Sequence, residues 1–80
     1  MWEIIGYEVS SNQEGEITGY TLYAIKPFKG SEGHGSKAKR FWYRPNIEYK
    51  PNVGDKVFID VEVRTFGQKS VEVVTDIFPM

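Results

Sequence analysis

Residues 37–44 combine charged and aromatic side chains within the length of one strand. The segment contains four cations and three aromatic rings, in the order Lys37, Ala38, Lys39, Arg40, Phe41, Trp42, Tyr43 and Arg44. Cations neutralise phosphates and flat rings stack on bases, which are the two contacts that single-stranded nucleic acid offers to a protein. This segment is therefore the first candidate for a binding surface.

The positive charge of the chain is concentrated around this segment. Residues 26–50 carry seven Lys or Arg and two Glu, whereas residues 1–25 carry four Glu and no cation. Residues 51–80 carry three cations and five acids, so the whole chain has a formal net charge of -1. A binding surface would depend on this local concentration of charge, because the protein as a whole is slightly acidic.

Alternation along a strand divides the central segment into two faces. The even-numbered residues from Arg40 to Arg44 share one side, and the odd-numbered residues from Lys39 to Tyr43 share the other. We expect the two odd-numbered aromatic residues to face the core, with Lys39 near its rim. Trp42 would then face outward between two arginines. A core position for Trp42 stays open as the alternative, because tryptophan is heavily buried on average.

Other kinds of chemistry have little support. The chain has no Cys and one His, His34, which excludes thiol nucleophiles and the usual zinc ligand sets. The glycines around His34 lack the Gly-Lys-Ser/Thr continuation of a phosphate-binding loop. Asp60 and Glu62 share a strand face, but this spacing is more typical of a solvated surface than of an acid–base pair. We therefore expect no catalysis, no metal and no cofactor.

Composition predicts one domain over residues 1–80, since 40% hydrophobic residues and twelve aromatics suffice for a compact core. The absence of Cys favours a reducing compartment. Residues 1–5 lack the basic and then apolar pattern of a signal peptide, and no apolar stretch approaches membrane-spanning length. These features predict a soluble cytoplasmic protein without a membrane partner.

Hydrophobic alternation and turn residues predict strands throughout the chain. The predicted strands are residues 2–9, 17–26, 37–44, 57–64 and 71–78. A glycine-rich loop over 27–36 and a proline-marked connection over 46–55 flank the third strand. Gly6 predicts a bend that lets the first strand serve both halves of a barrel. We expect an all-β, five-stranded oligonucleotide-binding (OB)-like barrel, with an SH3-like barrel as the alternative.

Two segments follow the pattern of a known family. Gly19-Tyr20-Thr21-Leu22 follows the first turn as a Pro-Tyr-Ser-Leu run does in that family. Residues 54–79 match its last third: a Gly, an alternating strand, a hairpin at Gly67-Gln68, a final strand and a Pro. In these features the chain resembles the helix-destabilising single-stranded DNA-binding proteins of filamentous phage, the gene V proteins. The resemblance implies a dimeric OB-type barrel that coats single strands, from a phage or another mobile element.

The resemblance also implies roles for individual residues. Tyr20 and Leu22 match positions that contact DNA, which would turn their side of the second strand outward and put Tyr23 and Ile25 inside. Phe66 is the nearest counterpart of an aromatic that the family presents near the tip of its last hairpin. The family's first hairpin is basic, whereas the one here carries two Glu and no cation, so phosphate contacts would shift to the central segment.

The leading hypothesis is a homodimeric, non-catalytic protein that binds single-stranded DNA or RNA. The residues predicted to contact the nucleic acid are Tyr20, Leu22, Lys37, Lys39, Arg40, Trp42, Arg44 and Phe66. The alternative is a protein-interaction barrel that acts through an edge strand or an aromatic surface without binding nucleic acid. The pI of about 5.8 favours this alternative, because generic nucleic-acid binders are more often basic.

Overall fold

The computed structural model of the chain describes residues 1–27 and 33–80. Its five strands are β1 (Trp2–Ser11), β2 (Ile17–Pro27), β3 (Ser36–Tyr43), β4 (Lys56–Phe66) and β5 (Lys69–Pro79). The prediction of an all-β chain with five strands is confirmed. Residues 28–32 of the predicted glycine-rich loop lie outside the described part of the chain.

The first strand takes part in both halves of the antiparallel sheet, whose order is β3-β2-β1-β4-β5. β1 pairs with β2 along most of its length, and its beginning pairs with β4 through Trp2 opposite Val57 and Glu3 opposite Lys56. The register with β2 shifts between Ile4 and Gly6. Such a bulge bends a strand and increases its twist, so the predicted role of the Gly6 region is confirmed.

The sheet is open between its two edge strands, β3 and β5. No ladder of backbone hydrogen bonds joins them within residues 1–27 and 33–80, so the expected closure into a barrel is not observed. Side chains span the seam instead. Phe41 on β3 and Val74 on β5 both belong to the core, and Lys39 Nζ lies 2.5 Å from Glu72 Oε2 across it.

One face of the curved sheet carries the core, and we call it the inner face. The buried hydrophobic residues are Ile4, Leu22, Ala24, Phe41, Tyr43, Tyr49, Val57, Val74 and Ile77. The inward orientation predicted for Phe41 and Tyr43 is therefore confirmed. The opposite face is called the outer face below.

Two core tyrosines, Tyr43 and Tyr49, form hydrogen bonds with the connection between β3 and β4. The Tyr43 hydroxyl donates a hydrogen bond of 2.7 Å to the carbonyl oxygen of Tyr49. The Tyr49 hydroxyl donates one of 2.8 Å to Oδ2 of Asp55. Burial raises the pKa of the Tyr43 phenol, and burial followed by the Asp55 hydrogen bond raises the pKa of Tyr49 to about 12.

The orientation that the resemblance implied for β2 is wrong. Leu22, expected to face outward, has 0% of its surface exposed. It lies opposite Phe41 in the antiparallel register, and directly opposed residues point to the same side of a sheet. Tyr20 shares this inner face, whereas Tyr23 and Ile25, expected inside, lie half-buried on the outer face. β2 has this orientation because its more apolar side, with Leu22 and Ala24, covers the core.

The β1–β2 and β4–β5 hairpins give the chain an extended shape. Its radius of gyration is 14.1 Å, compared with about 12 Å for a compact domain of this length. The β4–β5 hairpin carries exposed apolar side chains on both of its faces, namely Phe58, Val61, Val63, Phe66, Val71 and Phe78. Among the residues described, no helix is long and apolar enough to cross a bilayer.

Candidate nucleic-acid interface

A groove of about 670 Å³ runs between β3 and the β4–β5 hairpin, along the open seam of the sheet. We call it the seam groove. Its charged and large exposed aromatic lining residues are Arg40, Trp42, Arg44, Arg64, Phe66 and Glu72. Four of the predicted contact residues, from two distant parts of the sequence, therefore line one groove.

Trp42 has 47% of its surface exposed and lies on the outer face of β3. The predicted outward orientation is confirmed, and the alternative of a core tryptophan is wrong. Part of the indole rests on the main chain of β2 at Gly19, where an added Cβ would lie 2.6 Å from the ring atoms Nε1, Cε2 and Cζ2. The indole is thus held against the sheet while the rest of its surface stays open.

Arg40 lies beside an aromatic residue that the family resemblance put inside the core. Tyr23 is directly opposite Arg40 in the β2–β3 register, and its hydroxyl donates a hydrogen bond to Oε1 of Glu8. That hydrogen bond raises the pKa of the Tyr23 phenol, and the charge of Arg40 acts in the opposite direction. Strict alternation could have found Tyr23, because Leu22 and Ala24 form the more apolar side of the strand.

Arg44 and Arg64 bring two further guanidinium groups to the seam groove. Arg44 follows β3, and within the described ranges its side chain forms no ion pair. Arg64 Nη2 lies 3.4 Å from Oε2 of Glu62, and both side chains are more than half exposed, so this pair restrains Arg64 only weakly. Sequence reasoning missed Arg64, although its position two residues before Phe66 on one strand face was a usable signal.

Phe66 ends β4 at the tip of the last hairpin and has 63% of its surface exposed. Gly67 follows with a φ of 63°, in the left-handed region that glycine adopts at little cost. The tight turn presents the phenyl ring at the end of the hairpin, where it lines the seam groove together with Trp42. Phe66 is therefore available for contact with a ligand.

Two predicted contact residues on β2 lie away from the seam groove. Leu22 is part of the core. Tyr20 is half-buried on the inner face and stacks on Tyr43, with ring centroids 5.2 Å apart and planes inclined by 25°. It lines a second cavity of about 330 Å³ beside Ile47 and Tyr49. One face of the Tyr20 ring is already occupied, and the charged residues that line its cavity are Glu48 and Lys50, not the arginines of the seam groove.

The cations of β3 are divided between the two faces of the strand. Lys37 and Lys39 alternate with Arg40 and point to the other side. Lys39 is paired with Glu72, and its ammonium lies 5.2 Å from the ring centroid of Phe41. The four cations of the segment therefore do not share one face of the strand, as alternation predicted for Lys39 and the two arginines.

The charged side chains that line the seam groove are mostly positive. Three arginines face it, and Glu72 is the one acid among its described lining residues. That carboxylate is already neutralised in part by Lys39. No group of acidic or histidine side chains able to hold a metal ion occurs in residues 1–27 and 33–80. The groove can thus attract an anion and present flat rings to it.

No family model matches the chain, and neither a curated protein nor a solved structure matches it. The function is therefore inferred from the seam groove itself.

Proposed function

We propose that this protein binds single-stranded DNA in the seam groove and is not a catalyst. The observation that carries the proposal is the meeting of three arginines and two exposed rings in one groove. Guanidinium groups bind phosphates through paired hydrogen bonds and also stack on bases. Trp42 and Phe66 offer the flat surfaces on which unpaired bases stack.

We expect a single strand because a base can stack on a protein ring only when its face is not covered by neighbouring bases, as it is in a duplex. Each stacked base contributes about 1–3 kcal/mol, and phosphate contacts make the affinity fall as salt rises. Both contacts are insensitive to base sequence, which fits a protein that coats DNA. A single strand of RNA offers the same phosphates and base faces, so it binds in the same groove.

We further propose that the open five-stranded sheet is of the OB type. Support comes from the first strand, which pairs with both β2 and β4, and from the partly open form that OB barrels have. OB folds bind oligonucleotides on the face of strands 2 and 3 and at the loop between strands 4 and 5. Trp42 and Phe66 occupy the corresponding parts of this chain.

The resemblance to filamentous-phage DNA-binding proteins supports a source in a phage or mobile element. The absence of Cys supports a reducing compartment such as the cytoplasm. In that setting the ligand is the single-stranded DNA that replication or transfer of such an element produces.

The protein works as a homodimer in this proposal. Its accessible surface is 6167 Å², whereas a compact monomer of this mass has about 4,900 Å². The difference of about 1,200 Å² exceeds the roughly 800 Å² that each partner buries in a standard interface. Val63, an exposed apolar residue of the β4–β5 hairpin that does not line the seam groove, lies on a surface that a second copy can cover.

Retention on single-stranded DNA-cellulose tests the proposed function. We expect the protein to be retained at low salt and released as the salt concentration rises, because its phosphate contacts compete with counterions. Double-stranded DNA-cellulose is the matched control and should retain less protein. Passage through the single-stranded column at low salt would contradict the proposal.

A protein-interaction module is the second candidate, and the exposed apolar residues of the β4–β5 hairpin favour it. Such surfaces on a small domain mark sites that another protein covers. The two candidates differ in one outcome. If the protein does not bind single strands at low salt but forms a stable complex with another protein, the second candidate is supported and the first is excluded.

A further inference from the structure

Gly19 stands at a position in β2 where the backbone itself does not require glycine. It is buried and lies opposite Ser10 in the β1–β2 register. Its φ is not in the left-handed region, unlike those of Gly15, Gly35, Gly54 and Gly67. Glycine inside a strand destabilises it, and it often marks a place where another group approaches the main chain closely.

The group that approaches Gly19 is the indole of Trp42. Trp42 lies opposite Thr21 in the β2–β3 register, and Gly19 is two residues from Thr21 on the same face, so the two are diagonal neighbours. A Cβ at Gly19 would lie 2.6 Å from Nε1, Cε2 and Cζ2 of the ring. That distance is far below van der Waals contact, so even alanine would displace the indole.

Contact with the main chain at Gly19 limits the positions that the indole can take. The ring lies against the main chain of β2 at Gly19, and Trp42 is also one of the residues that line the seam groove, together with Arg40 and Arg44. A ring fixed before binding loses less conformational freedom when a ligand arrives. The missing side chain at position 19 thus prepares Trp42 for stacking.

We propose that Gly19 is a positioning residue for base stacking by Trp42. This inference rests on the proposed function, since it assigns to Gly19 a part in the same binding event. Gly19 touches no ligand itself. It acts by leaving room for the indole to lie against β2, and any side chain at this position turns the stacking surface away from the groove.

The test uses a Trp2→Phe background, in which Trp42 is the one tryptophan of the chain. Gly19→Ala is compared with Gly6→Ala, a matched control in another strand, where an added Cβ would meet its nearest neighbour, Cδ2 of Tyr23, at 3.9 Å. Quenching of Trp42 fluorescence by acrylamide reports the exposure of the indole. Titration with a fluorescent oligothymidylate reports affinity.

We expect Gly19→Ala to increase quenching and to weaken binding about five- to tenfold, within the range for one lost stack. Gly6→Ala should change neither readout. In a Trp42→Ala background, Gly19→Ala should leave the affinity unchanged, because the ring it displaces is no longer there. This double-mutant cycle separates positioning from a general effect on the sheet.

Three results would overturn the role of Gly19. They are wild-type affinity in Gly19→Ala, tighter binding in that variant, or a loss of affinity that persists in the Trp42→Ala background. If Gly19→Ala alone does not fold, the double variant with Trp42→Ala should fold as stably as Trp42→Ala, and its failure to do so would also overturn the proposal. Absence of binding by the parent protein would instead remove the proposed function together with this inference.

Discussion

Lys39 and Glu72 join the two edge strands of the sheet, with Nζ of the lysine 2.5 Å from Oε2 of the glutamate. Both side chains remain 40–49% exposed, so the pair contributes about 1 kcal/mol of stability at most. Its position matters more than its strength. Glu72 lines the seam groove, where its carboxylate is the one negative charge among the described lining residues.

Glu72→Gln should tighten the binding of single-stranded DNA. The substitution removes the one negative charge among the described lining residues of the groove, so phosphates are repelled less there. We expect the gain in affinity to be largest at low salt and to shrink as the salt concentration rises, because salt screens the repulsion that the carboxylate exerts. Oligonucleotide titration at several salt concentrations measures this gain. Unchanged or weaker binding would show that Glu72 does not limit the site.

Removing the guanidinium groups of Arg44 and Arg64 should have the opposite effect. The double variant Arg44→Gln, Arg64→Gln is expected to bind more weakly and to lose about 1.4 from the slope of log affinity against log salt, or about 0.7 for each contact. Lys56→Gln is the matched control, because Lys56 is exposed at the start of β4 and does not line the seam groove. A loss in the double variant of no more than twice the loss in the control would mean that only overall charge matters, because the double variant removes two charges and the control removes one.

Trp42→Ala should weaken binding about 5- to 150-fold, the equivalent of 1–3 kcal/mol for one stacked base. Tyr7→Ala is the control, since Tyr7 is an aromatic of similar exposure outside both the seam groove and the β4–β5 hairpin, and its loss should leave affinity unchanged. Fluorescence titration of both variants against one oligonucleotide provides the comparison. A Trp42→Ala protein with the affinity of the wild type would refute the stacking role.

Alkaline pH should destabilise the fold through its buried tyrosines. Burial and the hydrogen bond to Asp55 raise the pKa of Tyr49 from 10.0 to about 12. The unfolded chain loses this proton first, so the stabilisation is complete below pH 10.0 and declines as the pH rises to about 12. Denaturant unfolding across this range measures the decline. Tyr49→Phe should cost about 1 kcal/mol at neutral pH and make the alkaline decline less steep, and an unaltered decline would contradict this.

The β4–β5 hairpin should hold two copies together. Val63→Lys puts a charge on an apolar residue of the hairpin that is 63% exposed, and we expect it to convert a dimer into a monomer. Val53→Lys is the matched control, at a valine of 64% exposure outside the hairpin. Sedimentation equilibrium distinguishes the two states. A wild-type monomer, or a dimer that survives Val63→Lys, would exclude this interface.

The strands could be predicted from the sequence because their apolar residues alternate and turn residues separate them. Gly6 was also sufficient to predict that β1 bends and joins two halves of the sheet. Closure was not predictable in the same way. Whether β3 and β5 pair depends on how far the β4–β5 hairpin diverges from β3, and no local pattern encodes that divergence.

The site could be predicted where alternation within one strand determines the side to which each residue points. The opposite orientations of Phe41 and Trp42 follow from a period of two, and the structure has them so. Leu22 was misplaced because a family match was given more weight than the apolar character of its strand face. Arg64 and Tyr23 were missed although spacing along the strand carried a signal for each, since Arg64 shares a strand face with Phe66 and Tyr23 alternates with the apolar Leu22 and Ala24.

Chemical-shift mapping of the labelled protein with a short oligothymidylate tests the central claim most directly, because it measures binding and locates the bound face together. The seam groove predicts that the largest shifts fall on Arg40, Trp42, Arg44, Arg64 and Phe66, including the indole N–H of Trp42. Absence of shifts at low salt, or shifts centred on the inner face around Tyr20, would contradict binding in this groove.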